Sequence, residues 1–419
     1  MRITLFGIGV LLAAIGAAAQ VQDPLDTLAG NAEKSPADLI ALGDLYIEAM
    51  RLPEAARAYR QAMSKNDPGA EAQFGMARIQ IARGNFKKAK TACRRLAHAN
   101  KKKSIGEICS GWFWLSNDRS ARAVEEFQKA IDKGDMARGK TGMGEVYRRQ
   151  SEHEKAIAAY SEALKAGAGY IAHIGLGLTL EQKGDRQGAL QAFREAVSNM
   201  PASCLARYHY GRALGRGREA VHEIQTAIAI RQAWPEAYQV LADIHYEEGA
   251  YALAVEAYKQ ATKGETGIAF LGLGKALYKT AKPEAARKAL LRASELTPDL
   301  IGIYKLLAHI QFELGDYDGT DVALNKMKDL APEDAMVYLH CGAVYYKMER
   351  HTTARSFLEQ AISMKPSLSH AHYLLGRIAC KRRLYQPGRE HFRQALVGDL
   401  AGVDKNEIEK QLAACVPKR

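Results

Sequence analysis

The chain has 419 residues, 47% hydrophobic and 25% charged, with Lys and Arg exceeding Asp and Glu by 12. Length alone suggests two or three domains, and the basic surplus disfavours cationic partners while favouring acidic protein segments, anionic polysaccharide or anionic headgroups. No H-E-x-x-H, G-x-S-x-G, C-x-x-C or Cys/His metal spacing occurs, so the usual signatures of metalloprotease, serine hydrolase and zinc chemistry are excluded.

Residues 1–19 are a different kind of sequence from the remainder of the chain. Arg2 is the only charge before Asp23, and Ile3–Ala19 is almost unbroken apolar and small. Ala17-Ala18-Ala19 before Gln20 fits the small-x-small rule, so 1–19 is expected to be a secretory signal cleaved after Ala19. An uncleaved membrane anchor is the alternative. The first reading sends the chain to the periplasm or cell envelope, with no membrane span after cleavage and no nucleic-acid partner. Losing Arg2 lowers the formal charge from +12 to +11. Residues 20–35 read as a short arm whose Leu25 and Leu28 cover the first helical hairpin.

From residue 36 to 400 the chain repeats itself. The clearest copy, Tyr170–Pro201, reads as two amphipathic helices about a Gly184-Asp185 turn. A small residue stands at position 8, another at 20, an aromatic or aliphatic at 24 and Ala at 27. The frame recurs from Pro36, Ala70, Ser104, Ala137, Tyr170, Cys204, Pro235, Gly267, Ile301, Ala335 and Ser369. Position 8 is Gly or Ala throughout, from Gly43 to Gly376. Position 27 is Ala except at Leu96 and Met327. Prolines fall between copies or at second-helix starts (Pro53, Pro283, Pro387), where a missing N–H costs nothing. A lone helical hairpin cannot bury its apolar face, so the copies must stack. After Leu400, Asp404 and Glu407 precede an Ile408/Leu412 stripe, which predicts a capping helix within 401–419.

The period and the small-residue, aromatic and alanine positions resemble the tetratricopeptide repeat family. The resemblance implies an all-α, right-handed superhelical solenoid of about eleven helical hairpins, closed by the C-terminal helix. It also implies that positions 2, 5, 9, 12 and 13 of each first helix face a groove that holds a partner segment. In the C-terminal half these are Tyr208, Arg212, Tyr246, Lys275, Tyr278, Lys279, Lys305, His309, Phe312, Tyr346, Lys347, Tyr373, Arg377 and Lys381, an aromatic and basic strip. Nearer the N-terminus they are more apolar, with Ile40, Phe74, Ile108 and Trp112. Within Trp112-Phe113-Trp114, Trp114 is expected in the core and Trp112 on the groove side. In this architecture a second helix packs on the first helix of the next repeat, which makes Cys93–Cys109 the favoured disulfide, and first helices of neighbouring repeats approach as well, which makes Cys341–Cys380 a second candidate.

Gly134–Thr141 matches G-x4-G-K-[ST], but an amphipathic helix precedes it where a phosphate loop needs a strand, and Lys140 and Thr141 fall inside a repeat helix. No nucleotide or other cofactor is expected, and no enzymatic activity. The function implied is an envelope scaffold that holds protein or peptide segments, acidic ones above all, along the aromatic-basic strip. The alternative is that the strip binds an anionic polysaccharide or peptidoglycan strand.

Overall fold

The computed structural model describes residues 25, 30, 34–65, 69–400 and 404–417. The expected signal, 1–19, lies outside them. Among the described residues there are 23 α-helices and no strand, and no helix is long and apolar enough to cross a membrane. Contacts divide the chain into two compact units, residues up to Leu253 and residues from Ala254.

The first unit runs α1 (Pro36–Glu48), α2 (Leu52–Ser64), α3 (Ala70–Ala82), α4 (Phe86–Ala99), α5 (Ile105–Leu115), α6 (Ser120–Asp132), α7 (Met136–Arg149), α8 (His153–Lys165), α9 (Tyr170–Lys183), α10 (Arg186–Asn199), α11 (Cys204–Leu214), α12 (Arg218–Ile230) and α13 (Pro235–Glu247). The boundary falls in α14 (Tyr251–Ala261). The second unit continues with α15 (Gly267–Lys279), α16 (Pro283–Leu296), α17 (Ile301–Glu313), α18 (Tyr317–Leu330), α19 (Ala335–Lys347), α20 (His351–Met364), α21 (Ser369–Lys381), α22 (Tyr385–Val397) and α23 (Lys405–Ala414). Odd-numbered helices from α1 to α21 open the repeats. They start where the sequence frame places them, except at Ile105 and Met136, each one residue away.

Helix ends obey local chemistry. Ser35 and Asp38 form a reciprocal capping box on α1, with Pro36 in its first turn. Asp185 and Asp316 cap α10 and α18 by accepting from Gly188 N and Gly319 N. The turn inside nearly every repeat uses one left-handed residue at position 15: Gly84, Gly184, Gly249 and Gly315, but also Met50, Asp118, Ser151, Ala281, Glu349 and Arg383. Only glycine takes that conformation without steric cost, so the non-glycine turns carry strain.

Stacking rests on one recurring contact. The position-24 side chain enters a slot left by glycine at position 8 of its own repeat and, in several repeats, glycine at position 6 of the next. Tyr59, fully buried, sits between Gly43 and Gly75; a Cβ at Gly75 would lie 2.2 Å from its ring. Phe127 sits between Gly111 and Gly142, and Tyr160 between Gly144 and Gly175, in the same way. In the second repeat Cys93 takes position 24 and Cys109 takes position 6 of the third, and the two are joined as a disulfide. A covalent bond thus replaces a ring in a slot. The second candidate pairing is corrected: Cys341 is a buried free thiol, and Cys380 is bonded to Cys415. Cys380 faces Gly388 on α22, whose missing side chain admits Cys415 from beyond α23. That bond ties the terminal helix to the last repeat, with Ile408 of α23 fully buried.

The first unit also makes contacts far outside its nearest neighbours. Glu48, at the end of α1, accepts hydrogen bonds from Tyr170 at the start of α9 and from Ser203 Oγ, 2.7 Å away, ahead of α11. The tie spans 122 and 155 residues of sequence, bringing the first repeat against the fifth and sixth. Burial raises the Glu48 pKa, and the hydrogen bonds from Tyr170 and Ser203 and the nearby Arg78 only partly offset it, while Asp44 adds to it. Folded Glu48 therefore holds its proton to higher pH than the unfolded chain. Stability then falls as pH rises from the ordinary value of 4.5 to the raised one, and levels off above it.

Three outcomes are expected. Gly75→Ala should lower the free energy of unfolding by about 1–3 kcal/mol, because the Tyr59 ring has nowhere to go; urea denaturation measures it. Ala281→Gly and Arg383→Gly, by relieving left-handed strain, should each raise it by up to about 1 kcal/mol. Glu48→Ala should cost about 1–3 kcal/mol by stranding two hydroxyls, whereas Glu48→Gln should flatten the decline in melting temperature above pH 4.5. Superimposable pH profiles for wild type and Glu48→Gln would contradict the last.

Candidate functional site

The first helices of the two units carry different chemistry at the positions expected to face the groove. In the first unit, α1, α3, α5, α7 and α9 surround a cavity of about 590 Å³. Ile40, Phe74, Ile108 and Trp112, the apolar groove positions expected from sequence, all line it. Ile47, Ile81 and Ile171 extend the apolar wall, and Tyr170, whose hydroxyl is held by Glu48, closes one side.

The charges in this wall are paired. Asp44 accepts from Tyr59 at 2.6 Å and from Arg78 at 2.5 Å. Burial acts against the Arg78 charge, but Asp44, Tyr59, Tyr170 and Glu48 outweigh it and hold the guanidinium protonated. Arg138 on α7 bridges Glu71 on α3 and its own neighbour Asp135, both at 2.7 Å. Arg138 and Glu71 also border a second depression of about 420 Å³, with Lys102, Lys103, Ser104 and Lys133. The family resemblance pointed to the apolar members Ile40, Phe74, Ile108 and Trp112. Arg78, Glu48 and Tyr170 went unrecognised, because their association depends on the return of the fifth repeat to the first.

Trp112-Phe113-Trp114 resolves differently from expectation. Trp112 does face the cavity, edge-on to Phe127 at 5.6 Å. Phe113 is the buried member, and Trp114 is only half-buried, with Lys90 and Arg122 over its ring. Trp114 still packs against the buried clusters on both sides of α5, and the two cations cover the part of its ring that remains open.

The aromatic-basic positions divide between the units. In the first, Tyr208 packs against Trp234 at 4.6 Å, and Arg212 is paired with Glu181 at 2.5 Å. Tyr246 lies against Tyr251 at 5.2 Å. These three are half-buried and engaged within the fold. In the second unit Lys275, Lys279, Lys305, Lys347 and Lys381 are exposed, and Tyr278, Phe312 and Tyr346 half-exposed. Tyr278 donates to Glu313 at 2.9 Å and meets His309 Nε2 at 2.9 Å, and Phe312 leans on Tyr317. Arg377 and Lys381 of α21 stand over the Tyr346 ring of α19 at 5.4 and 5.6 Å. Tyr373, only 8% exposed, packs against Phe392 and offers no free face.

The G-x4-G-K-[ST] stretch spans the turn before α7. Lys140 pairs with Glu162 at 2.6 Å and Thr141 Oγ donates to Ala137 O at 2.7 Å, so both side chains serve helix packing. The two histidines of His370-Ala371-His372 diverge, and His372 instead meets His391, Nδ1 to Nδ1 at 3.1 Å.

Comparison with known proteins agrees with this architecture. Residues 39–105, 115–171, 141–203, 241–301 and 337–368, together more than half of the chain, match the tetratricopeptide repeat family. The TPR repeat-containing protein YpiA of Bacillus subtilis (strain 168) is 22% identical over 227 residues, which cover 52% of this chain and 53% of that protein. The chain thus spans about half the length of this curated relative. Among solved structures, Pseudomonas aeruginosa pilF is 19% identical over 48% of this chain and 94% of its own, with a TM-score of 0.42. A tetratricopeptide repeat protein from Parabacteroides merdae ATCC 43184 is 18% identical over 59% and 98%, with a TM-score of 0.44. Yeast Tom70 is 13% identical over 91% and 95%, with a TM-score of 0.40. With ring-in-glycine stacking repeated from hairpin to hairpin and the family's signature matched along most of its length, this chain belongs to the tetratricopeptide repeat proteins.

Proposed function

We propose that this protein is a non-enzymatic scaffold of the bacterial cell envelope, exported by residues 1–19, that holds acidic protein segments on the second unit. The observation that carries the partner chemistry is the charge balance of the strip on α15, α17, α19 and α21. Lys275, Lys305 and Lys347 stand exposed, with no carboxylate in ion-pair reach among the described residues. Rings lie between the cations: Tyr278 is fixed by Glu313 and His309, and Tyr346 by Arg377 and Lys381. Side chains already held in place lose less entropy when a partner arrives. An extended segment with alternating acidic and aromatic residues satisfies both components. Location in the envelope rests on the character of residues 1–19 and on the cystines, which persist in oxidising compartments.

Binding of a fluorescent Glu- and Tyr-bearing peptide by the full chain tests this. Lys275→Glu/Lys305→Glu/Lys347→Glu should weaken it by at least about tenfold, and wild-type affinity should fall as salt rises. In crosslinked envelopes, Tyr278→Ala/Lys279→Glu/Tyr346→Ala should lose a protein that the wild type retains. Equal peptide binding by wild type and the triple lysine variant refutes the partner chemistry; binding of an anionic polysaccharide alone would favour the glycan alternative.

A further inference from the structure

We propose that the hollow of the first unit is a binding site for a single-chain anionic amphiphile, with the apolar body inside and the acid group in the adjoining depression at Lys102 and Lys103. Three observations lead there. The first is size and lining. A half-open hollow of about 590 Å³, whose apolar wall is Ile40, Phe74, Ile81, Ile108, Trp112 and Ile171, falls within the size range of small-molecule sites, where apolar walls supply affinity.

The second is closure. A groove that receives a peptide must let the chain run through. Here the Glu48 tie to Tyr170 and Ser203 draws the fifth and sixth repeats against the first. Tyr170 and Ile171 thereby join Ile40 and Ile47 in lining one half-open hollow, walled on the side where the fifth repeat returns to the first.

The third is the placement of charge. Inside, Arg78 is neutralised by Asp44, so the interior suits the uncharged part of a ligand. At one edge Arg138 and Glu71 border both the hollow and the neighbouring depression. There Arg138 is occupied by Glu71 and Asp135, and Lys133 by Glu107 at 2.6 Å. Lys102 and Lys103 are exposed and have no carboxylate in ion-pair reach among the described residues, leaving a positive excess beside an apolar hollow. An apolar chain ending in a carboxylate or phosphate matches both parts.

The test uses the full chain and two fluorescent probes of similar size, anionic 1-anilinonaphthalene-8-sulfonate and uncharged N-phenyl-1-naphthylamine. Both should bind saturably, one per chain. Ile40→Glu and, separately, Ile171→Glu put a charge into the hollow and should weaken both by at least about tenfold; a circular-dichroism melt confirms that each variant is folded. Lys102→Glu/Lys103→Glu should weaken the anionic probe by about tenfold and leave the uncharged one unchanged. Free dodecanoate should displace the anionic probe. No saturable binding of either probe, or full binding by both hollow variants, overturns the site. Equal effects of the lysine change on both probes overturn the anionic end, and displacement by anionic vesicles but not by dodecanoate overturns a free single-chain ligand.

Discussion

A large side chain seated in a slot between glycines is the contact on which the rest of this protein depends. Tyr59, Phe127 and Tyr160 each stand where two glycine backbones leave room for one ring and nothing more. The contact fixes the distance from first helix to second and from one repeat to the next in a single packing event. Position 27 supports it from behind, and its residues, alanine or not, are all buried. The first, third and fourth repeats thus borrow half of the slot from their successors, in keeping with nearest-neighbour stacking in a solenoid. Where the ring is missing, at Cys93, the two cysteines bridge the same gap. Where no successor exists, Cys415 and Ile408 cover the last repeat.

Upon that local rule the first unit adds a non-local one. Glu48 is a buried carboxylate whose partners come from 122 and 155 residues away. Two hydroxyl donors and a nearby guanidinium make such a group tolerable, and losing any of them leaves a costly buried acceptor. The tie sets the first unit apart from the second. The first forms a half-open apolar hollow with compensated charge, while the second exposes cations and half-exposed rings on its first helices. The two proposed modes of binding, one in a hollow and one along a surface, would both follow from a difference in closure on the same repeat.

The helical hairpins were legible in the sequence because small residues recur at fixed positions, and helix starts are reproduced to within a residue. Position 6 was not recognised as part of the slot. Its glycines, Gly75, Gly142, Gly175 and Gly272, alternate with residues such as Cys109 and His209, which hide the pattern. The left-handed turn residue was equally hidden, because Met50, Ala281 and Arg383 fill a place that glycine would mark. Around the hollow, the resemblance to the repeat family, carried over position by position, located Ile40, Phe74, Ile108 and Trp112. It also assigned Tyr373 to a groove it does not reach, since burial against Phe392 overrides its register. The Glu48 tie could not be read at all. Nothing local distinguishes a glutamate at a helix end that meets solvent from one that meets a distant tyrosine.

The closure of the first unit is tested most directly by a distance. Nitroxide labels on Met50→Cys, beside Glu48, and Ser198→Cys, near Ser203, occupy exposed positions. Pulsed electron resonance should give one short, narrow distribution that broadens and lengthens when Glu48→Ala is added. A long distribution in the wild type, indifferent to Glu48, would mean that the repeats do not return upon themselves and that the hollow does not exist.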